Sequence, residues 1–258
     1  MKKVKILLII LALILLLIIS YISVLEILSV NRAIDEFNNK FVTEEVKSNI
    51  EYLSTSDSTV MDNQFRLAYL SSQLIAAKSD SIILLLNFPD STADLMIKGV
   101  VVHSARIETY KLSRFIDAVD QLALLKMLST PLQVNKHKST IRKVPLMVKI
   151  APKDTSEYTP DVVPDTTDID AVNYIFETNA GIQFYFYESN PKESEDGLKQ
   201  FKFDLQDRIQ RGYLVFKNAA TLKKTEYKPE VRIRLNKRDA KIIYRALPSK
   251  ASIIIKLK

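Results

Sequence analysis

The chain has 258 residues and carries 37 Lys and Arg against 30 Asp and Glu, a formal net charge of +7, with 47% apolar residues. That is room for one or two domains with a substantial core, and too much apolar material for a disordered protein. Cysteine is absent, which excludes disulfide scaffolds, thiolate metal sites, iron–sulfur clusters and a cysteine nucleophile. Two histidines, His103 and His137, are too few for a multi-histidine metal centre. The four glycines, Gly99, Gly181, Gly197 and Gly212, lie too far apart for a phosphate-cradling loop. No cofactor and no metal are expected.

Lys2, Lys3 and Lys5 precede an uncharged run from Ile6 to Leu25, and Glu26 is the first charge after it. Twenty such residues in a helix reach about 30 Å, the thickness of a bilayer's hydrocarbon core. The run predicts a single transmembrane anchor over 6–25, with the lipid bilayer as its partner. By the positive-inside rule, residues 1–5 stay in the cytoplasm and the remainder is periplasmic or otherwise extracytoplasmic, at a bacterial inner membrane. A cleaved signal peptide would end in an Ala-x-Ala-like site, which Ser20 to Ser23 does not supply.

Residues 26–80 read as a helical stalk. Val46, Ile50 and Leu53, then Phe65, Leu67, Leu70 and Leu74, recur near helical spacing around a break at 54–58. An α/β region over 81–150 follows, with strands at Ile82–Phe88 and Leu95–Ile107. The run Val100 to Val102 suggests burial on both faces. A helix is expected over Arg114–Leu128, with Ser113 as a candidate N-cap, and a strand over Val144–Ile150. Residues 151–170, with three prolines and six acidic residues, read as an exposed linker.

The last region, 171–258, opens with a hairpin, Val172–Glu177 and Ile182–Glu188 around the turn signal ending in Gly181. A helix over Leu198–Arg211 comes next, and the chain finishes strand–helix–strand over Val231–Leu235, Asp239–Leu247 and Ile253–Leu257. The fold class expected is therefore α+β: one transmembrane helix, a helical stalk and a mixed α/β exported domain with a β-rich core.

Charge is segregated. Residues 151–200 hold three basic and eleven acidic residues, and residues 201–258 hold sixteen and five. The basic block suits internal pairing, anionic lipid head groups or an acidic wall or envelope polymer. Nucleic acid is not expected as a partner across a membrane.

The stretch Val231 to Pro248, ending in Ile253 to Ile255, resembles the tail of an L,D-transpeptidase catalytic domain, the cysteine enzymes that cross-link bacterial peptidoglycan. Ile233-Arg234-Leu235, Asp239-Ala240 and Tyr244 match the frame of that family, and the hairpin from Tyr174 to Tyr187 resembles its strand pair. The likeness covers at most residues 140–257. The family's cysteine falls on Arg232, its motif histidine on Glu230 and its upstream histidine on about Tyr185, so the resemblance implies a degenerate module without the thiolate chemistry. Arg232 and Arg234 stand two apart on one strand face and suit a carboxylate. The candidate binding cleft is Tyr185, Glu230, Arg232 and Arg234, with no catalytic residue assigned.

Elsewhere, His103 and Ser104 are adjacent on a strand and point to opposite faces, which denies them a nucleophile–base geometry. His137 reads as part of a solvated basic turn. The acidic set Asp165, Asp168 and Asp170 lacks the glycine of a calcium loop. The expected function is a non-catalytic, membrane-anchored, envelope-facing structural or interaction protein that binds peptidoglycan or an envelope partner. The alternatives are an envelope hydrolase or transferase with a non-cysteine nucleophile, and a membrane-complex subunit acting through its N-terminal helices.

Overall fold

The computed structural model describes residues 2–42, 58–143, 171–189, 194–221, 223 and 226–258. Among them, eight strands close into a barrel: β1 (Ile83–Asn87), β2 (Thr92–Ile97), β3 (Val100–Lys111), β4 (Leu132–Ser139), β5 (Asn173–Thr178), β6 (Gln183–Glu188), β7 (Glu230–Leu235) and β8 (Ser252–Lys256). Their order around the ring is β1-β2-β3-β7-β6-β5-β4-β8. Neighbours run antiparallel except β1 with β8 and β6 with β7, which are parallel. Strands from before and after residues 151–170 share this one ring. The strand expected over Val144–Ile150, the linker 151–170 and its acidic set all lie outside the described residues.

Period-two alternation decides which side chains fill the barrel. Leu84 and Leu86 of β1, Tyr174 and Phe176 of β5, Phe184 and Phe186 of β6, Ile233 and Leu235 of β7, and Ile253 and Ile255 of β8 form one buried cluster. The alternate residues face outward and are covered by helices. Ile83, Leu85 and Ile254 pack with Ala76, and Ile175, Tyr185 and Tyr187 pack with Phe203.

Among the described residues six helices pack with the barrel: α1 (Lys2–Phe41), α2 (Ser58–Ala77), α3 (Arg114–Ala118), α4 (Gln121–Leu128), α5 (Ser194–Ala220) and α6 (Lys237–Ala246). The expected architecture of a stalk carrying a domain is overturned here. Phe37 of α1 and Phe65 and Ala68 of α2 are buried in the same cluster as the barrel interior. Phe37 meets Phe115 edge-on at 5.4 Å, Asn38 accepts from the Asp120 backbone N–H at 3.0 Å, and Lys40 donates to the Asn179 carbonyl at 3.0 Å. Of the second apolar stripe read as stalk packing only Phe65 docks on the barrel, beside Ala68, while Leu67, Leu70 and Leu74 are 48–65% exposed; the first stripe, Val46, Ile50 and Leu53, lies outside the described residues.

The expected single-pass anchor over 6–25 is corrected as well. Residues 2–41 form one unbroken helix, but among the described residues no helix is long and apolar enough to cross a membrane. The part of α1 whose side chains are largely described, from Val24 to Phe41, carries Glu26, Arg32, Asp35, Glu36 and Lys40. That charge density suits a half-buried surface helix. Most side chains between 6 and 19 lie outside the described set.

Three local expectations also change. The strand expected over Leu95–Ile107 is two strands, split by a turn at Lys98 and Gly99, both at positive φ (51° and 80°), the signature of a tight hairpin. Val100, Val101 and Val102 follow that turn at the hairpin tip and are 50–65% exposed rather than buried. The helix expected over Arg114–Leu128 is two helices. Val119 is extended, and Asp120 caps α4 by accepting from the Leu122 N–H at 2.8 Å, while Ser113 caps α3. His137 lies within β4 opposite Phe176 of β5, so it is a strand residue and not part of a turn.

The β5–β6 hairpin turns at Gly181, whose φ is +82° with open space where a side chain would stand. Gly181→Ala is therefore expected to cost only the backbone term, about 1–2 kcal/mol, read as a lower midpoint in urea with an unchanged slope.

Candidate functional site

The four candidate residues lie on two adjacent parallel strands and face the same way. In β7, Val231, Ile233 and Leu235 point into the barrel, which turns Glu230, Arg232 and Arg234 outward. In β6 the same alternation turns Gln183, Tyr185 and Tyr187 outward. Pairing then sets two rungs across the outer wall. Lys111 of β3 pairs with Arg232, and Arg232 with Tyr185. Thr109 pairs with Arg234, and Arg234 with Tyr187. The positions that the family resemblance aligns with a cysteine and an upstream histidine, Arg232 and Tyr185, are thus direct partners.

Helix α5 lies over this wall and supplies acids to it. The Tyr185 hydroxyl donates to Asp207 at 2.8 Å and lies 3.1 Å from the Gln183 side-chain oxygen. The Tyr187 hydroxyl donates to Asp204 at 2.9 Å. Arg211 bridges Asp207, at 3.0 Å, and Glu230. Glu230 in turn accepts from Arg232 at 2.7 Å. The Arg232 and Arg211 guanidinium groups lie 5.8 and 5.9 Å from the Tyr185 ring centre, and Arg234 lies 5.6 Å from that of Tyr187.

This lattice sets the protonation states. Burial pushes the Tyr185 and Tyr187 phenols well above their ordinary range, and the neighbouring carboxylates add to the shift. Both stay neutral donors. Burial alone would raise the Glu230 carboxyl, but the hydrogen bonds from Arg232 and the charge and hydrogen bonds of Arg211 outweigh it and hold the group below its ordinary 4.5. A carboxyl depressed by folding stabilises the protein above its unfolded value and loses that contribution as pH falls through its folded one. Glu230 is therefore expected to contribute to acid unfolding below pH 4.5, and Glu230→Gln to flatten the pH dependence of stability in that window, as measured by urea midpoints between pH 6 and about 3.

Beside the lattice opens a cleft of about 230 Å³ lined by Thr109, Tyr110, Lys111, Tyr187, Gln200, Asp204, Arg232 and Arg234. Arg232 and Arg234 reach it. Tyr185 and Glu230 lie behind it, in the lattice that orients Arg232. Arg234 donates to the Glu188 carbonyl at 3.2 Å, and Lys111 is exposed. Among the described residues, neither cation is paired with a carboxylate. The cleft thus holds three cations against Asp204, with Arg232 neutralised by Glu230.

Other residues weighed in the sequence sit elsewhere. Ser104 donates to Asp94, whereas His103 is 3.3 Å from Asp239, so each has a different neighbour. Among the described residues, no group of acids and histidines is placed to hold a metal ion. Sequence reasoning missed Lys111, Tyr187, Asp204, Asp207 and Arg211. Tyr187 follows Tyr185 by two, and Asp204, Asp207 and Arg211 recur at helical spacing, so both periodicities carried a signal. Lys111 had none, because only the β3–β7 pairing brings it in. Comparison with known protein families, with curated proteins and with solved structures gives no match in any of the three.

Proposed function

We propose that this chain is a non-catalytic binding module that takes a carboxylate-bearing ligand in the cleft between β3, β7 and α5. The observation that carries the reading is the state of Lys111 and Arg234: two cations lining one cleft, diagonal to each other across the β3–β7 pairing and without a carboxylate partner among the described residues, above a lattice whose other arginines are engaged. A guanidinium held over the Tyr187 ring, 5.6 Å from its centre, presents its remaining N–H groups in the fork that matches a carboxylate. The position aligned with a nucleophile in the L,D-transpeptidase family carries Arg232, a group that binds anions and does not attack acyl carbons. Together with that resemblance, the chemistry favours a peptidoglycan stem peptide as the ligand class.

Cosedimentation of the full chain with purified peptidoglycan tests this. Pelleting that weakens with salt, and about tenfold weaker pelleting of a Lys111→Ala/Arg234→Ala protein, is the expected result, the size following from loss of charge-assisted hydrogen bonds. Equal pelleting of the variant, or cleavage or cross-linking of the wall fragments by the full chain, would overturn the reading.

A further inference from the structure

Helix α5 is amphipathic in an inverted sense. Its barrel side carries Asp204, Asp207 and Arg211, which complete the ionic lattice, together with Gln200 and the buried Phe203. Its opposite side carries Leu198, Phe201, Leu205, Ile209, Tyr213 and Phe216, each 43–67% exposed. Leu198 and Phe216 are eighteen residues apart, five full turns, so the stripe runs straight along the helix for about 27 Å. Exposed apolar surface that is contiguous on this scale marks an interaction site. The stripe has no walls, which suits a flat surface and not a groove for a peptide.

The rim decides the occupant. Among the described side chains, the exposed charges flanking the stripe are Lys202, Arg208 and Lys217, all basic, while the helix's central acids, Asp204 and Asp207, are turned onto the barrel. Pairing two copies through α5 would set these cations against each other. An anionic lipid surface matches both features, apolar side chains entering the headgroup boundary and basic ones meeting phosphates. Helix α1, which packs against α5, also exposes Tyr21, Val24, Ile27 and Leu28.

We propose that the outward face of α5 lies in the plane of an anionic membrane surface, with the helix resting on the bilayer and not crossing it. The sequence has no tryptophan, so a Phe201→Trp protein carries a single local fluorophore. Titration of that full-length protein with phosphatidylglycerol vesicles is expected to shift its emission to shorter wavelength, reversibly with salt, and phosphatidylcholine vesicles to leave it unchanged. Adding Lys202→Glu and Lys217→Glu is expected to weaken the partition by more than about tenfold. Leu70→Trp, on the exposed side of α2, serves as the control and is expected not to shift. Unchanged Phe201→Trp emission with anionic vesicles, an equal shift in the charge-reversed protein, an equal shift in the Leu70→Trp protein, or a lipid-free shift that grows with protein concentration, as a second copy would give, each overturns the proposal.

Discussion

Phe186→Ala is expected to lower stability by about 3–5 kcal/mol, enough to remove a large share of the folding free energy of a domain of this size. Phe186 is fully buried and stacks on Tyr174 with ring centres 4.7 Å apart. It also meets Phe176 at 5.7 Å, and Tyr174 and Phe176 both reach Tyr244 of α6. Truncation opens a cavity in the barrel where β5, β6 and α6 meet, and the closed ring limits how far the walls collapse to fill it. Urea unfolding measures the loss. Phe186→Leu, which keeps most of the volume, should recover the larger part.

Glu230→Ala is the second large effect, about 2–3 kcal/mol. Removing one member of a buried ion pair typically costs 3–5 kcal/mol, and the estimate is reduced because the Glu230 side chain is 22% exposed and the two arginines are 35 and 38% exposed. The carboxylate joins Arg211 of α5 to Arg232 of β7, so its removal leaves two guanidinium groups facing one another beside Tyr185. Glu230→Ala should therefore loosen α5 from the wall before the barrel itself unfolds, visible as faster amide exchange along 200–211. Adding Arg211→Ala should recover part of the loss, because the orphaned charge goes with it.

The elements that were legible in the sequence are those fixed by short-range pattern. The β5–β6 hairpin is announced by Gly181 between two aromatic runs, and the final strand–helix–strand by the apolar runs over Val231–Leu235 and Ile253–Leu257 on either side of Asp239–Leu247, close to the observed bounds. What was not legible depends on pairing over long separations. Whether strands form an open sheet or a closed barrel turns on β1 meeting β8 across the ring, and no local signal encodes that contact. The same reason hid Lys111. Helical periodicity in 58–77 marked the helix but not its buried face: Phe65, Ala68, Ser72 and Ala76 turn inward while Leu67, Leu70 and Leu74 stay exposed, hence the mistaken stalk. The exposed tip at Val100–Val102 was misread because three valines look alike in a buried strand and beyond a hairpin turn.

The site itself was half legible. Tyr185, Glu230, Arg232 and Arg234 were singled out through two strand alternations and one family resemblance, and the parallel β6–β7 pairing puts them on one face. The acids that engage them come from α5, whose barrel-facing side sets Asp204, Asp207 and Arg211 around a single buried Phe203. Ordinary amphipathic reasoning would have turned that helix over, placing Leu198, Phe201 and Leu205 on the barrel. The ionic lattice reverses the expected orientation because Asp207, Arg211 and the two tyrosines satisfy one another only when the polar side faces inward.

Titration of the full chain with a soluble stem peptide, followed by calorimetry, tests the central claim most directly. Binding that disappears when the peptide's carboxylates are amidated, and in the Lys111→Ala/Arg234→Ala protein, is the predicted result. Equal affinity for the amidated peptide, or undiminished binding by the variant, would contradict the assignment of the cleft.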